Sequence, residues 1–459
     1  MSVAKRTTQS EAQGPSLLSL PQDILLRCLE PLSQEERFKS VSLVCKRLHA
    51  PCLATQLLRS LNVVIDLGDS NERIARAYAL VAFLAAHARH VRTLQLRIIP
   101  AEHAGDARSQ VEAAVAGCLA ACGAASALEQ LFVSEETPPG RGAIFLPALT
   151  RLQKLQFGGL DTALHLAPSI SRLQRLEEAS LSGSPIRLPS TLPASITRLC
   201  LSDGVSKHLP RQLSQLTGLQ CLEMEAFYSA ASMDALLPRL PSLCSLVLAG
   251  MLVLPTCLSS LTRLDALSAG PLGQESGALL LRALPRLAGL TCLALANPSW
   301  STVPPAIAQL PRLQRLWLSV GAPPAGAPAM PQGPWLSSIR WLGLPWRHLE
   351  GGPEVLARAP RLEYLVSLDV PGCREERAAL ARWEAFFAFL ARHPPLRCFG
   401  IESEPLNAHS TCSMRLLDAI IRLARCRPAL RLRRKADTGV GCMWDEVSSA
   451  ADIPEDPGF

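Results

Sequence analysis

Aromatic side chains are scarce in this chain: 7 Trp, 3 Tyr and 11 Phe make up 5% of its residues. Hydrophobic residues nevertheless reach 48%, so any core must be filled with aliphatic side chains, and leucine recurs along most of the length. That apolar content, with only 19% charged residues, excludes wholesale disorder. Concentrated positive charge is also lacking. The 46 basic residues are interspersed with 39 acidic ones, and no dense basic run appears before Arg431-Leu432-Arg433-Arg434-Lys435. Nucleic-acid binders gather Lys and Arg on one face or helix, so no nucleic-acid partner is expected.

Ordered cysteine spacing is missing too. The 15 cysteines are odd in number and scattered, and residues 1–15 carry no apolar stretch of the signal-peptide kind. Together these indicate reduced thiols and a cytoplasmic or nuclear location. The longest weakly polar stretch, Ala113 to Leu128, is mostly Ala and Gly, too short and too weakly apolar for a bilayer, so no membrane partner is expected.

Motifs of catalysis are absent: no Gly-rich phosphate loop, HExxH, GxSxG or Walker lysine occurs. Cys45, His49 and Cys52 have helical ligand spacing, but Pro51 interrupts the helix and no fourth ligand is apparent. His87-x-x-His90 and the pair Cys118 and Cys122 lack a second half. These groups read as packing. No catalytic residue, metal or cofactor is expected, and the chain reads as a non-enzyme.

At 459 residues the chain exceeds one ordinary core, which calls for several domains or a repeat array. Residues 1–15 read as a disordered tail, and three short helices fit 16–58. Pro21 suits a first helical turn, and Ile24, Leu25, Cys28 and Leu29 share a helical face ended by Pro31. Ser33 and Glu36 have capping-box spacing, and Val41, Val44, Cys45 and Leu48 form the stripe of a third helix.

A second grammar follows a linker or N-terminal cap at 59–90. An LxxLxL-like spacing recurs thirteen times, starting at Val91, Leu128, Leu152, Leu176, Ile196, Leu219, Leu243, Leu264, Leu290, Leu313, Ile339, Leu362 and Leu396. The ten intervals from Leu128 to Leu362 run from 20 to 26 residues, the period of a leucine-rich repeat. Between these runs, Pro210, Leu213, Leu216 and Leu219 are spaced by three, as are Pro255, Leu258, Leu261 and Leu264, and Pro304, Ile307, Leu310 and Leu313. A period of three predicts a 3₁₀-like or extended return rather than an α-helix. The longer end intervals contain predicted helices at Gln110–Cys122 and Glu375–Arg392, suited to capping the array. An irregular loop is expected at Gly321–Pro334. The fold class is an α/β solenoid: a leucine-rich-repeat horseshoe over 91–430, with a parallel sheet on its concave face, preceded by a small three-helix module. Residues 431–459 read as a disordered tail.

The first module resembles the F-box family. Leu20-Pro21-Gln22-Asp23-Ile24-Leu25 opens it, Leu29 and Leu32 follow, and Ser42-Leu43-Val44-Cys45-Lys46-Arg47 closes it, with Leu48 where the family has Trp. The resemblance implies an F-box/leucine-rich-repeat protein. It implies that Leu20, Pro21, Ile24, Leu25, Leu29, Val44, Cys45, Arg47 and Leu48 serve binding of the Skp-type linker subunit of a cullin ubiquitin ligase, some of them by packing inside the module. A protein substrate would then bind the repeats. The repeats depart from the usual pattern at the ninth place, where Asn or Cys is replaced by residues such as Glu136, Ser184, Phe227, Leu272 and Pro298.

Strand places two, three and five face away from the core, because side chains alternate along a strand. In the middle repeats these residues are small: Cys244, Ser245, Val247, Asp265, Ala266, Ser268, Thr291, Cys292 and Ala294. The next strands bring Arg315 and Trp317, then Arg340 and Trp341, then Tyr364 beside Glu363. Trp, Tyr and Arg dominate interface hot spots, so Arg315, Trp317, Arg340, Trp341 and Tyr364 are the candidate substrate-binding residues. The alternative is that they pack beneath Gly321–Pro334. Two rival functions stay open: a repeat scaffold whose N-terminal helices only cap the solenoid, and a small-molecule receptor using the floor of small residues.

Overall fold

The computed structural model of the chain describes residues 22–29, 58–66, 79, 82–84, 86–99, 127–135, 143–144, 149–159, 164–166, 168–182, 186–187, 191–202, 211–225, 229–251, 253–297, 299–321, 330–350, 352–368, 376–402, 420–427 and 429–435. The chain divides into two units, residues 1–177 and 178–459.

The first unit holds a helix at Gln22–Leu29 and a parallel sheet of β1 (Ser60–Asp66), β2 (Thr93–Ile99), β3 (Gln130–Glu135) and β5 (Lys154–Gly159). Two short strands, β4 (Ala143–Ile144) and β6 (Leu164–Leu166), pair beside it, and a 3₁₀ turn covers Pro168–Arg172. β1 lies within 59–90, the segment expected to be a linker or cap. The array therefore includes a strand earlier than Val91. The cause is visible in Leu58, Leu61 and Val63, which carry the same one-four-six spacing; Leu58 is fully buried and Leu61 nearly so.

The second unit is a longer run of the same design. Its strands are β7 (Glu178–Ser182), β8 (Ile186–Arg187), β9 (Arg198–Ser202), β10 (Cys221–Glu225), β11 (Ser245–Ala249), β12 (Ala266–Gly270), β13 (Cys292–Asn297), β14 (Arg315–Val320), β15 (Trp341–Leu344), β16 (Tyr364–Ser367), β17 (Cys398–Glu402) and β18 (Arg431–Lys435). All except β8 lie in one sheet, in sequence order. The neighbours are parallel. β18 corrects the expectation of a tail from 431, since Arg431 pairs with Cys398 and Lys435 with Glu402.

Register converts the sequence repeat into a core. Leu199, Leu222, Leu246, Leu267, Leu293, Leu316, Leu342, Leu365 and Phe399 are successive partners across neighbouring strands. Each is at most 1% exposed. One copy breaks the apolar rule: Ser367 stands at the sixth place of its repeat and is fully buried. Backbone bonds fix the alignment at the strand entrances. The Arg92 carbonyl accepts from both Glu129 N–H (2.7 Å) and Gln130 N–H (2.9 Å), and the Gln314 carbonyl from Arg340 (2.8 Å) and Trp341 (2.9 Å).

The return segments divide into two kinds. Where the period is three, 3₁₀ turns form at Arg211–Gln215 and Thr256–Ser260, as expected, while Pro305–Ala308 makes a single α-turn. Ala230–Leu236 and Gln274–Ala283 are α-helices that the period-three reading did not anticipate. Asp234 on the first of these ties two repeats together, accepting from Cys257 N–H (2.7 Å) and Thr256 Oγ1 (3.0 Å). This tie joins two return segments and lies away from the ninth places of the repeats. The buried Asn297, at the eighth place, accepts from Ser299 N–H (3.0 Å) and from its hydroxyl.

Aromatics concentrate at the far end of this unit. The predicted terminal helix forms at Glu376–Arg392 and packs Phe386 edge-on against Trp346 (ring centroids 5.0 Å apart), with Phe399 of β17 6.0 Å from Phe386. The helix predicted at Gln110–Cys122 falls outside the described residues. Arg427 closes this end: Nη1 donates to the carbonyls of Leu390 (3.1 Å) and His393 (2.6 Å), and Nη2 to that of Leu396 (2.7 Å).

Two predictions follow from this packing. Leu246→Ala is expected to cost about 2–5 kcal/mol, because it deletes a fully buried side chain from the centre of the row; chemical denaturation measures it. His393 is buried against Phe389, and burial, with Arg427 nearby, lowers its pKa below the usual value. The unfolded chain then binds the proton more readily than the folded one. Stability is expected to be complete above the ordinary histidine pKa and to fall as pH drops through it. A His393→Gln variant is expected to show a flatter dependence of denaturation midpoint on pH.

Candidate protein-interaction site

Of the residues assigned to linker-subunit binding, Leu20, Pro21, Val44, Cys45, Arg47 and Leu48 lie outside the described residues, as do the segments predicted to form the second and third helices. The first helix, Gln22–Leu29, is described. Leu25 and Leu29, four residues apart, are buried at 3% and 5% exposure, while Ile24 is exposed at 37%. This corrects the shared apolar face: Leu25 and Leu29 pack inward and Ile24 points out. The spacing explains it, since a residue one step from Leu25 is turned about 100° around the helix.

The second set of residues comes together. In the sheet of the second unit, Arg315, Trp341 and Tyr364 are direct partners on β14, β15 and β16, and Trp317 is the partner of Gly343. Parallel neighbours lie about 4.8 Å apart, within the reach of an indole. A methyl group on Gly343 would meet Trp317 Cδ1 at 2.8 Å and Trp341 Cη2 at 2.9 Å. Both rings therefore converge on the bare backbone of Gly343. Trp317, Trp341, Arg315 and Tyr364 are half-buried and Arg340 is exposed, unlike Trp335 and Trp346, which are in the core. Of the loop Gly321–Pro334, residues 322–329 lie outside the described residues; at its end Trp335 Nε1 donates to the Pro331 carbonyl at 3.2 Å.

The row beside the cluster differs from expectation. Val247, Ser268 and Ala294 occupy the fifth place of successive strands and were expected to line an open floor, yet none is more than 2% exposed. Short side chains in a row bounded by Glu223 and Trp317 are overshadowed by their neighbours. The Ser268 hydroxyl is buried without a hydrogen-bond partner among the described residues. A closed row of this kind offers little to a small ligand.

Thiols near the sheet are poor nucleophiles. Burial, reinforced by Asp234, pushes Cys257 up to about 12, and burial pushes Cys292 up to about 11 despite Arg315 nearby. Burial raises Cys221 and Cys244 as well. All four remain protonated at neutral pH. Among the described residues no group of three or more His, Cys, Asp or Glu side chains is placed to hold a metal, and no helix is long and apolar enough to cross a membrane.

Gly343 was not singled out by sequence reasoning, although a glycine inside a strand is a known sign of close approach by another group. It is what allows two tryptophans from neighbouring strands to share one spot.

No family model matches the chain, and no curated protein matches it. Solved structures with which it aligns include a leucine-rich-repeat protein of Leptospira interrogans (14% identity, 82% of this chain and 95% of that one, TM-score 0.37). An internalin of Listeria monocytogenes aligns at 12% identity over 85% of this chain and 92% of that one, TM-score 0.36. Drosophila Toll, solved in complex with Spatzle, aligns at 13% identity over 79% of this chain and 52% of that one, TM-score 0.42.

Adding a methyl group at the shared spot tests the cluster directly. Gly343→Ala is expected to displace one or both rings without unfolding the chain, because the atoms in the way belong to side chains at the surface. The readouts are a red shift in tryptophan emission and a thermal midpoint close to that of the parent.

Proposed function

We propose that the chain is a recruiting adaptor without chemistry of its own, whose repeat surface holds a protein partner. The observation that carries this reading is the convergence of Trp317 and Trp341 over Gly343, flanked in register by Arg315 and Tyr364 on the outward side of the sheet. Large, rigid aromatic rings beside guanidinium groups are the combination that supplies most binding energy at protein interfaces. A ring held in place by backbone and neighbour loses little freedom when a partner arrives, which favours affinity.

The second half of the reading rests on the resemblance of Leu20 to Leu48 to the F-box. On that ground the N-terminal module docks on the Skp-type linker subunit of a cullin ubiquitin ligase, with exposed Ile24 on the docking side and Leu25 and Leu29 holding the helix in place. Joining the two sites raises the effective concentration of ligase around whatever the repeats hold. The rival reading keeps the repeat surface as a scaffold and makes the N-terminal helices a cap only.

A pull-down with purified linker subunit separates the two. The parent chain is expected to bind it and a Leu20→Ala, Pro21→Ala double variant to lose that binding while the repeats stay folded. No binding by the parent would leave the scaffold reading in its place. Trp317→Ala or Trp341→Ala is expected to cost about 2 kcal/mol or more of partner affinity with little loss of stability. Partner capture from cell extract, quantified against the parent, measures it.

A further inference from the structure

Beside the aromatic cluster, at the N-terminal ends of β15 to β17, lies an open cleft of about 630 Å³. Its charged lining is Arg340, Arg361, Arg397 and Arg427 against a single carboxylate, Glu363. Three of these residues come from equivalent places in successive repeats. Arg340, Glu363 and Arg397 each stand immediately before a strand, and Arg361 sits in the turn that leads into β16. In a chain whose basic and acidic residues are otherwise mixed, stacking the repeats gathers four guanidinium groups at one edge.

The four have different roles. Arg427 is occupied by backbone carbonyls at 2.6 to 3.4 Å, so it supplies fixed positive charge more than free donors. Arg397 lies 3.7 Å from Glu363 across an exposed contact, which solvent weakens. Arg340 and Arg361 are exposed at the mouth. The rest of the lining includes Pro360, Pro394 and Pro395, which have no N–H to offer. Phosphate cradles are commonly built from backbone N–H groups. Here an anion meets guanidinium forks, which match a carboxylate with two parallel hydrogen bonds.

Two lining residues adjoin the aromatic cluster in the chain: Arg340 precedes Trp341, and Glu363 precedes Tyr364. We infer that this edge is an anchoring site for an acidic, extended segment of a protein partner. The segment's Glu or Asp side chains sit among Arg340, Arg361 and Arg397, and its apolar residues lie on Trp317 and Trp341. The inference rests on the reading of the repeat face as a partner-binding surface and adds the partner's charge and its direction across the strands. It does not depend on the N-terminal module.

The test uses the full chain and fluorescein-labelled peptides of about ten residues: one with a glutamate run beside leucines, one with glutamine in place of each glutamate, and one with lysine. Anisotropy is expected to show binding of the glutamate peptide alone, weakening as salt rises, and an affinity at least about tenfold lower in an Arg340→Glu, Arg361→Glu double variant. Both positions are exposed, and an unchanged thermal melt confirms that the variant is folded. Equal binding of the glutamate and glutamine peptides would overturn the inference. So would a double variant that binds as well as the parent, or a single-stranded oligonucleotide that displaces the peptide and binds more tightly. The partner-capture assay tells this failure from the broader one. If Trp317→Ala lowers capture and the arginine reversals do not, the cleft assignment falls and the surface reading stands. If neither changes it, both fall.

Discussion

The rest of the structure depends on a backbone carbonyl that accepts two N–H groups at once. At the entrance of most described strands of the long sheet, the carbonyl of the second-place residue takes hydrogen bonds from two consecutive N–H groups of the next repeat. This runs from Arg59 through Arg92 and Glu129 in the first unit, and from Thr197 through Gln220, Cys244, Asp265, Thr291, Gln314, Arg340 and Glu363 in the second. A carbonyl has two lone pairs, so the arrangement uses acceptor capacity that an ordinary ladder leaves to water. Its consequence is register. Pinning the entrance of each strand to the one before makes a one-residue slip cost two hydrogen bonds, and a slip would also turn every leucine outward.

Because the backbone does the aligning, side chains at the second place of each repeat are released from that duty. That freedom shows in their chemistry. Thr197, Gln220, Cys244, Asp265, Thr291, Gln314, Arg340 and Glu363 all perform the same backbone role with unrelated side chains. The repeats can therefore vary their outer face, from small residues around Ser268 to aromatics around Trp341, without altering the core behind it. Glycine at 343 is the exception, where the outer face does set the residue. A side chain there would collide with two indoles.

The same division explains what was legible in the sequence. The strands β2, β3, β5, β7 and β9 to β17 follow from the leucine spacing, because the core positions that define it admit few alternatives. β1 carries the spacing as well, in Leu58, Leu61 and Val63, but stands apart from the regular intervals. β18 does not carry it: the positions corresponding to Leu396, Phe399 and Ile401 are Ala429, Leu432 and Arg434. Only its pairing with β17 and the closure by Arg427 make it part of the sheet, and no local pattern encodes either. The helices Ala230–Leu236 and Gln274–Ala283 were hidden for another reason. Their burial is shared between the helix and the 3₁₀ turn that follows, so neither period runs long enough to stand out.

For the candidate site, residue types were legible and geometry was not. Arg315, Trp317, Arg340, Trp341 and Tyr364 can be chosen from their places in the repeat, since strand alternation assigns them to the outer face. That two of the rings meet over a glycine needs the register between β14 and β15. The arginine cleft is further from view, because Arg361 and Arg427 belong to turns and returns whose position no repeat rule specifies. The two features nonetheless obey one logic. Scattered residues with about two dozen others between them in sequence become neighbours at the spacing of strands in a sheet. A change in charge or aromaticity at one outer position of one repeat is thus a local edit to a continuous surface. The leucine row, which forbids such edits on the inner side, is what makes them tolerable on the outer side.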